Sequence, residues 1–381
     1  MYYPSASGTT VNSSVVGLYA NNPIHPNNVL HIMQMSAPDA IYYSTIAGPT
    51  NDTYYQQIEW LLDQGVNIIN QSYGKFVKEE DDGSETVAVN EYTDITRWID
   101  HIAYNHDVHF IQASGNSMGT EGAGEDYEPD GVVIPGMAYN VITVGNFDME
   151  EGKLYDDSSY NGSTGKNKPF KPDILAHGVY TGDSGTSFAA PLVAGAVALL
   201  CDYRPALKTK QFVVKAILAV GMRENSVKYV TTHPHFFING AGVLDARSAM
   251  YVASAGTYST TTSSLSTIGS SKTYTMNVTS SDTFMRVALA YGNRIQYPSS
   301  NTTHSPGSIP MSSIGSLDIE IFDPNGNWVA GVYSADLTKQ ANLKILEFTP
   351  NGVYGAYTIK ITLVEETTAS NKKISFDVAW K

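Results

Sequence analysis

The chain has 381 residues, 42% hydrophobic and 16% charged, which reads as globular and as more chain than one ordinary core holds. Its formal net charge of −14, from 37 acids against 23 bases, argues against a nucleic-acid partner, which wants a basic face. A lone cysteine, Cys201, excludes an internal disulfide and a thiolate metal site; in its apolar helical run it is a small buried hydrophobe.

The first residues, MYYPSASGTT, lack the basic start and apolar stretch of a signal peptide. No membrane span is expected, because the longest apolar run, Phe188 to Leu200, is too short and contains Pro191. His25 stands before a proline in a turn-like stretch, and His31 reads as strand-bound. TYYQQIEWLLDQ (53–64) has helical spacing, and GVNIINQSYG (65–74) is an apolar run ending in small polar residues. KEEDDGSE (78–85) reads as a solvated hairpin tip. A helix pattern (92–106), a strand pattern VHFIQASGN (108–116) and another, NVITVGNFD (140–148), follow. This alternation predicts a parallel sheet with helices on both faces. Helices are then expected from Ser187 to about Asp202 and over 207–221.

The stretch 253–272 is rich in Ser and Thr and reads as a linker. Beyond it the apolar period changes to two, in runs such as MRVALAYG, LDIEIFDP and KKISFDVAWK. Residues 273–381 are therefore expected to form an antiparallel, jelly-roll-like β-sandwich.

GDSGTSFAAPLVAGAVALL (182–200) carries the chemistry. In an open parallel sheet, ligands sit beyond the carboxyl ends of the strands, near helix N-termini. A serine opening a helix there has its hydroxyl at the positive helix end, among N–H groups able to hold an oxyanion. The bland alternative for Ser187 is an N-cap.

GTSFAAP resembles the serine signature of the subtilase (subtilisin-like) serine endopeptidases, Gly-Thr-Ser-x-Ala-x-Pro. SAPDAIYY (36–43), GVNIINQSYG, QASGNSMG, NVITVGNFD, KPDILAHG and GAGVLDARSAM (240–250) resemble further family segments in the right order. The resemblance covers about residues 5–252 and implies a peptidase domain over 1–252. It implies that Ser187 is the nucleophile and Asn116 the oxyanion donor. Ser72, Tyr73 and Gly74 match the edge that pairs with an extended substrate, and Ala113, Ser114 and Gly115 the opposite wall. No cofactor is required, and a structural calcium ion is allowed; Asp318 and Asp323 are acids of the sandwich that suit calcium, a turn or a strand edge. The implied partner is a polypeptide, with no membrane and no nucleic acid, in a secreted or cell-surface setting.

Two departures stand out. A serine needs a base within reach and a group orienting that base. SASGTTVNSSVVGLY (5–19) matches the family's histidine-bearing helix, yet Ser7 occupies the histidine's position. The first acid in the chain is Asp39, so the family's aspartate strand is expected to be absent, leaving a gap inside the sheet. His177, ten residues before Ser187, is a minor candidate base. The readings left open are a peptidase disarmed or lacking an N-terminal segment or fragment, a peptide-binding pseudopeptidase, and a purely structural module. Acidic residues in EGAGEDYEPD (121–130) suggest a preference for basic side chains.

Overall fold

The computed structural model describes residues 15–20, 25–46, 51–74, 77–79, 85–87, 91–116, 131–155, 157–161, 169–180, 182–222, 240–293, 315–334, 342–367 and 373–381. In chain order the first part runs β1 (Val15–Ala20), α1 (His25–Ser36), β2 (Ile41–Ile46), α2 (Asn51–Asp63) and β3 (Ile68–Gln71). The hairpin strands β4 (Val77–Glu79) and β5 (Glu85–Val87) come next, then α3 (Asp94–His106), β6 (His109–Ala113), β7 (Ile142–Asp148), β8 (Lys153–Leu154) and β9 (Ile174–Ala176). The hairpin β10 (Val179–Tyr180) and β11 (Asp183–Ser184) leads into α4 (Thr186–Tyr203), a 3-10 turn (Pro205–Thr209), α5 (Gln211–Val220) and α6 (Ala246–Ala255).

The parallel sheet has the order β2-β1-β3-β6-β7-β9, with β8 added antiparallel to β7. Strands β3, β6, β7 and β9 are buried on both faces, which is why they read as apolar runs. Ile68 and Ile111 face the core shared with α1, α4, α5 and α6, while Ile69 and Phe110 face α2 and α3. α4 is the central helix. It is long and apolar enough by composition to cross a membrane, but most of it is buried in this core.

Three expectations are corrected here. Residues 15–20, the end of the stretch matched to the histidine helix, form strand β1. It pairs in parallel with both β2 and β3, so the sheet interior has no gap at that place. The helix packed along α4 is α1, which begins at His25; His31 lies in that helix and not in a strand. A short run of small residues carries no period that separates helix from strand, and only the pairing partners decide. Third, 253–272 is not a bare linker: its first residues close α6, and Ser263–Leu265 form strand β12, paired with the last strand of the chain. The hairpin predicted around 78–85 is bounded by the paired strands β4 and β5; its tip, 80–84, lies outside the described residues, as does 121–130.

The C-terminal strands are β13 (Ser271–Val278), β14 (Met285–Asn293), β15 (Ser316–Phe322), β16 (Trp328–Val332), β17 (Leu343–Phe348), β18 (Gly355–Glu365) and β19 (Ile374–Trp380). They form two four-stranded antiparallel sheets, β12-β19-β14-β17 and β13-β18-β15-β16. The chain crosses repeatedly between the sheets in a jelly-roll order, and both sheets fill one apolar core. Strand β14 shows the logic. Val287, Leu289 and Tyr291 point into the jelly-roll core, whereas Ala288 and Ala290 join the core around α5. Small residues on that face let the helix lie close on the sheet, so the two parts share a continuous apolar interface.

Candidate functional site

The site forms where β3 and β6 end and α4 begins. Ser187 is the second residue of α4, and the N-cap is Gly185, so Ser187 does not cap the helix. Gly185 is needed for room: a Cβ there would lie 2.8 Å from Asn116 Nδ2. The Ser187 hydroxyl sits 3.4 Å from the carbonyl oxygen of Ser72. In return the Ser72 hydroxyl donates to the Ser187 carbonyl oxygen at 2.7 Å. This reciprocal pair joins the end of β3 to the first turn of α4.

Asn116 is held by the residue beside the serine. Its side-chain oxygen accepts from Thr186 N–H at 2.9 Å and from the Thr186 hydroxyl at 2.8 Å. A backbone N–H only donates, so the amide oxygen must face Thr186 and the NH₂ group must face the other way. Among the described residues no acceptor takes that NH₂ group or the backbone N–H of Ser187. Two donors are thus left at the positive end of an 18-residue helix. Thr186 also accepts from Gly115 N–H at 3.2 Å, tying the end of β6 to the same turn. Its anchoring role was missed in the sequence, although it lies inside the motif itself.

Both sides of the site have backbone groups engaged within the protein. Ser72–Gly74 leave the sheet beyond β3, with Tyr73 and Gly74 half-buried. On the opposite side the backbone is already occupied: Ser114 N–H donates to Val144, while the Ser114 and Gly115 carbonyls accept from Val133 and Ser159. The Ser114 N–H and the Ser114 and Gly115 carbonyls are thus engaged within the protein. Val133 is wedged between the sides. Cβ atoms on Gly74 or Gly115 would run into its methyl groups.

Among the histidines, His177 donates its Nδ1–H to the Phe147 carbonyl at 3.3 Å. His31 is hydrogen-bonded to the Tyr180 phenol, whose ring packs on Phe188, and so fastens the β10–β11 hairpin to α1. His109 is buried, with Nε2 3.0 Å from the Leu207 carbonyl, and burial pushes its pKa down to about 4. Ser7 lies outside the described residues.

The acids considered for calcium are engaged by the protein. Asp323 accepts from Asn325 N–H and Asn327 N–H in a turn, and Asp318 accepts from Ser334 N–H at 2.7 Å. Among the described residues no group of three or more His, Cys, Asp or Glu is placed to hold a metal ion.

Subtilisin DY of Bacillus licheniformis is 25% identical over 204 residues, covering 52% of this chain and 61% of subtilisin DY; the chain thus spans about three-fifths of that relative. Among solved structures, the epidermin leader peptide processing serine protease of Staphylococcus aureus matches with TM-score 0.46 and 17% identity, over 66% of this chain and 77% of that one. Tripeptidyl peptidase 2 matches with TM-score 0.42 and 14% identity, over 94% of this chain and 40% of that one. The model of the subtilase family matches residues 8–233, more than half of the 381, and the chain belongs to that family.

Proposed function

We propose that the chain is a serine endopeptidase that hydrolyses extended polypeptides through an acyl-enzyme on Ser187. The observation carrying this reading is the pairing of the Asn116 amide oxygen with Thr186, next to Ser187, which leaves the amide NH₂ group free to donate at the start of α4. There it would stabilise the oxyanion of a tetrahedral intermediate together with the Ser187 N–H. The peptide would lie along Ser72–Gly74 as an added strand, against the wall made by Ala113–Gly115.

For the base, His25 is proposed in place of Ser7. What supports this proposal is that the helix packed on α4 starts at His25, as a base-bearing helix would. The base would take the serine proton on attack and return it to the leaving amine. A second reading, a pseudopeptidase that binds peptides without cutting them, is favoured by β1. This interior strand, VVGLYA, carries no carboxylate to orient a base. A secreted or cell-surface setting is proposed from the resemblance alone.

Labelling with an uncharged ethoxyfluorophosphonate tests both. An active peptidase labels at Ser187, and Ser187→Ala abolishes the signal. His25→Ala is expected to slow labelling about 10²–10⁴-fold, and Asn116→Leu about 10²–10³-fold. Ser7→His should change nothing; faster labelling in that variant would return the base position to residue 7. An unlabelled chain that still binds unfolded polypeptide would establish the binding reading.

A further inference from the structure

The segment 131–141 is buried throughout and touches both the groove and the jelly roll. At one end Val133 is wedged between Gly74 and Gly115, and its N–H donates to the Ser114 carbonyl at 3.0 Å. Successive turns then tie the segment together. Gly136 N–H donates to Val133, Ala138 N–H donates to Pro135, and the Thr143 hydroxyl donates to Gly136 at 2.6 Å.

At the other end Tyr139 leaves the α/β part altogether. With Tyr92 its ring belongs to the apolar core of the jelly roll. The Asp100 carboxylate holds the turn, accepting from Tyr139 N–H at 3.0 Å, Asn140 N–H at 2.6 Å and the Tyr92 hydroxyl at 2.6 Å. The Tyr139 carbonyl accepts from Lys215 of α5 and from the side-chain amide of Asn342, next to β17 of the jelly roll. Gly292 of β14 comes so close that a Cβ there would run into the Asn140 side chain and lie 2.8 Å from the Phe212 ring.

We propose that the jelly roll sets the shape of the peptide groove, with Asn342 and Gly292 as positioning residues that hold Tyr139 and, through the segment 133–139, the Val133 wedge. This deepens the reading of 72–74 and 113–115 as a peptide site and rests on it. A fully buried, internally bonded segment has no slack, so a shift at Tyr139 reaches Val133 as a change in the wall. A thermodynamic cycle measures this coupling directly.

The experiment measures binding of fluorescein-labelled, reduced and carboxymethylated α-lactalbumin to the full chain carrying Ser187→Ala, which prevents turnover. Asn342→Leu and Gly292→Ala are each expected to weaken binding roughly fivefold or more, the scale of a modest coupling between sites. Ile319→Val, in the jelly-roll sheet away from α5, should lower the melting temperature and leave binding unchanged. In a Val133→Ala background the effect of Asn342→Leu should shrink, because the wedge it acts through is gone. Unchanged binding in both junction variants would overturn the proposal. So would an equal loss in Ile319→Val, which would mean general destabilisation. An undiminished Asn342→Leu effect in Val133→Ala would remove the wedge as the route. Failure of the Ser187→Ala chain itself to bind would overturn the groove reading, and the coupling with it.

Discussion

The α/β part and the jelly roll bury similar strands but fill them differently. In the jelly roll, Leu289, Ile319, Ile359, Ile361 and Phe376 meet in a core made of apolar side chains. In the parallel sheet, β3 and β6 are buried on both faces, yet Asn70, Gln71, Ser72, Gln112 and Ser114 at their carboxyl ends are buried and polar. Burying such groups costs free energy unless they are bonded. Here several are: Gln112 Nε2 donates to the Tyr73 carbonyl at 2.7 Å, and Gln71 Nε2 donates to the Tyr54 hydroxyl at 2.7 Å. Apolar packing stabilises both parts, and at the ends of β3 and β6 it is joined by buried polar side chains that hold backbone near the site.

The largest expected break in this contrast is Asp100→Ala. It strips the acceptor from two buried backbone N–H groups and a buried tyrosine hydroxyl. A loss of about 4 kcal/mol is expected by urea denaturation, because donors stranded without water cost more than the bonds contributed. Leu289→Ala in the jelly-roll core should cost about 3 kcal/mol by cavity formation alone. Because the core around α5 spans both parts, either change should lower one common transition; two separate transitions in the parent chain would refute a shared interface.

Gly292→Ala is smaller. The added methyl forces the jelly roll away from Asn140 and Phe212, at about 2 kcal/mol. It sharpens the comparison by splitting the calorimetric transition while leaving each core intact.

The smallest effect is a pH dependence. Burial lowers the His109 pKa to about 4, so the folded protein keeps this ring neutral while the unfolded chain takes up a proton near pH 6.5. Its contribution is complete above pH 6.5 and is lost as pH falls toward 4. Asp100 and Asp377 are pushed by burial to about 6, and they tilt stability the opposite way between about pH 4 and 6. The measurement is therefore a difference: the stability of the parent chain minus that of His109→Asn should fall by about 1.5 kcal/mol from pH 6.5 to pH 5. A flat difference would show that His109 is protonated in the folded state.

Much of the site was legible because its signals are local. The Gly-Thr-Ser start of α4, the small residues ending β3 and β6, and Asn116 beyond β6 each follow from their own few neighbours. The polar anchors Thr186 and Asp100 were not legible as anchors, because their partners lie far away in the chain, Asn116 for one and Tyr139 with Asn140 for the other. The same distance hid the link between Asn342 and Tyr139.

By itself the sequence determined the two architectures. Apolar runs between helical patterns dictate a parallel sheet covered on both faces, and a strict period of two dictates a sandwich. The Gly-Thr-Ser motif placed Ser187 at a helix start without further help. Only the tertiary structure decided that Val15–Ala20 fills the sheet between β2 and β3, and that the helix beside α4 begins at His25. It alone decided that the jelly roll docks through alanines onto α5 and through the Tyr139 ring. A residue's own neighbours set its preference for helix or strand, but the strand it pairs with and the surface it buries lie elsewhere in the chain, and for short segments those distant contacts outweigh the local preference.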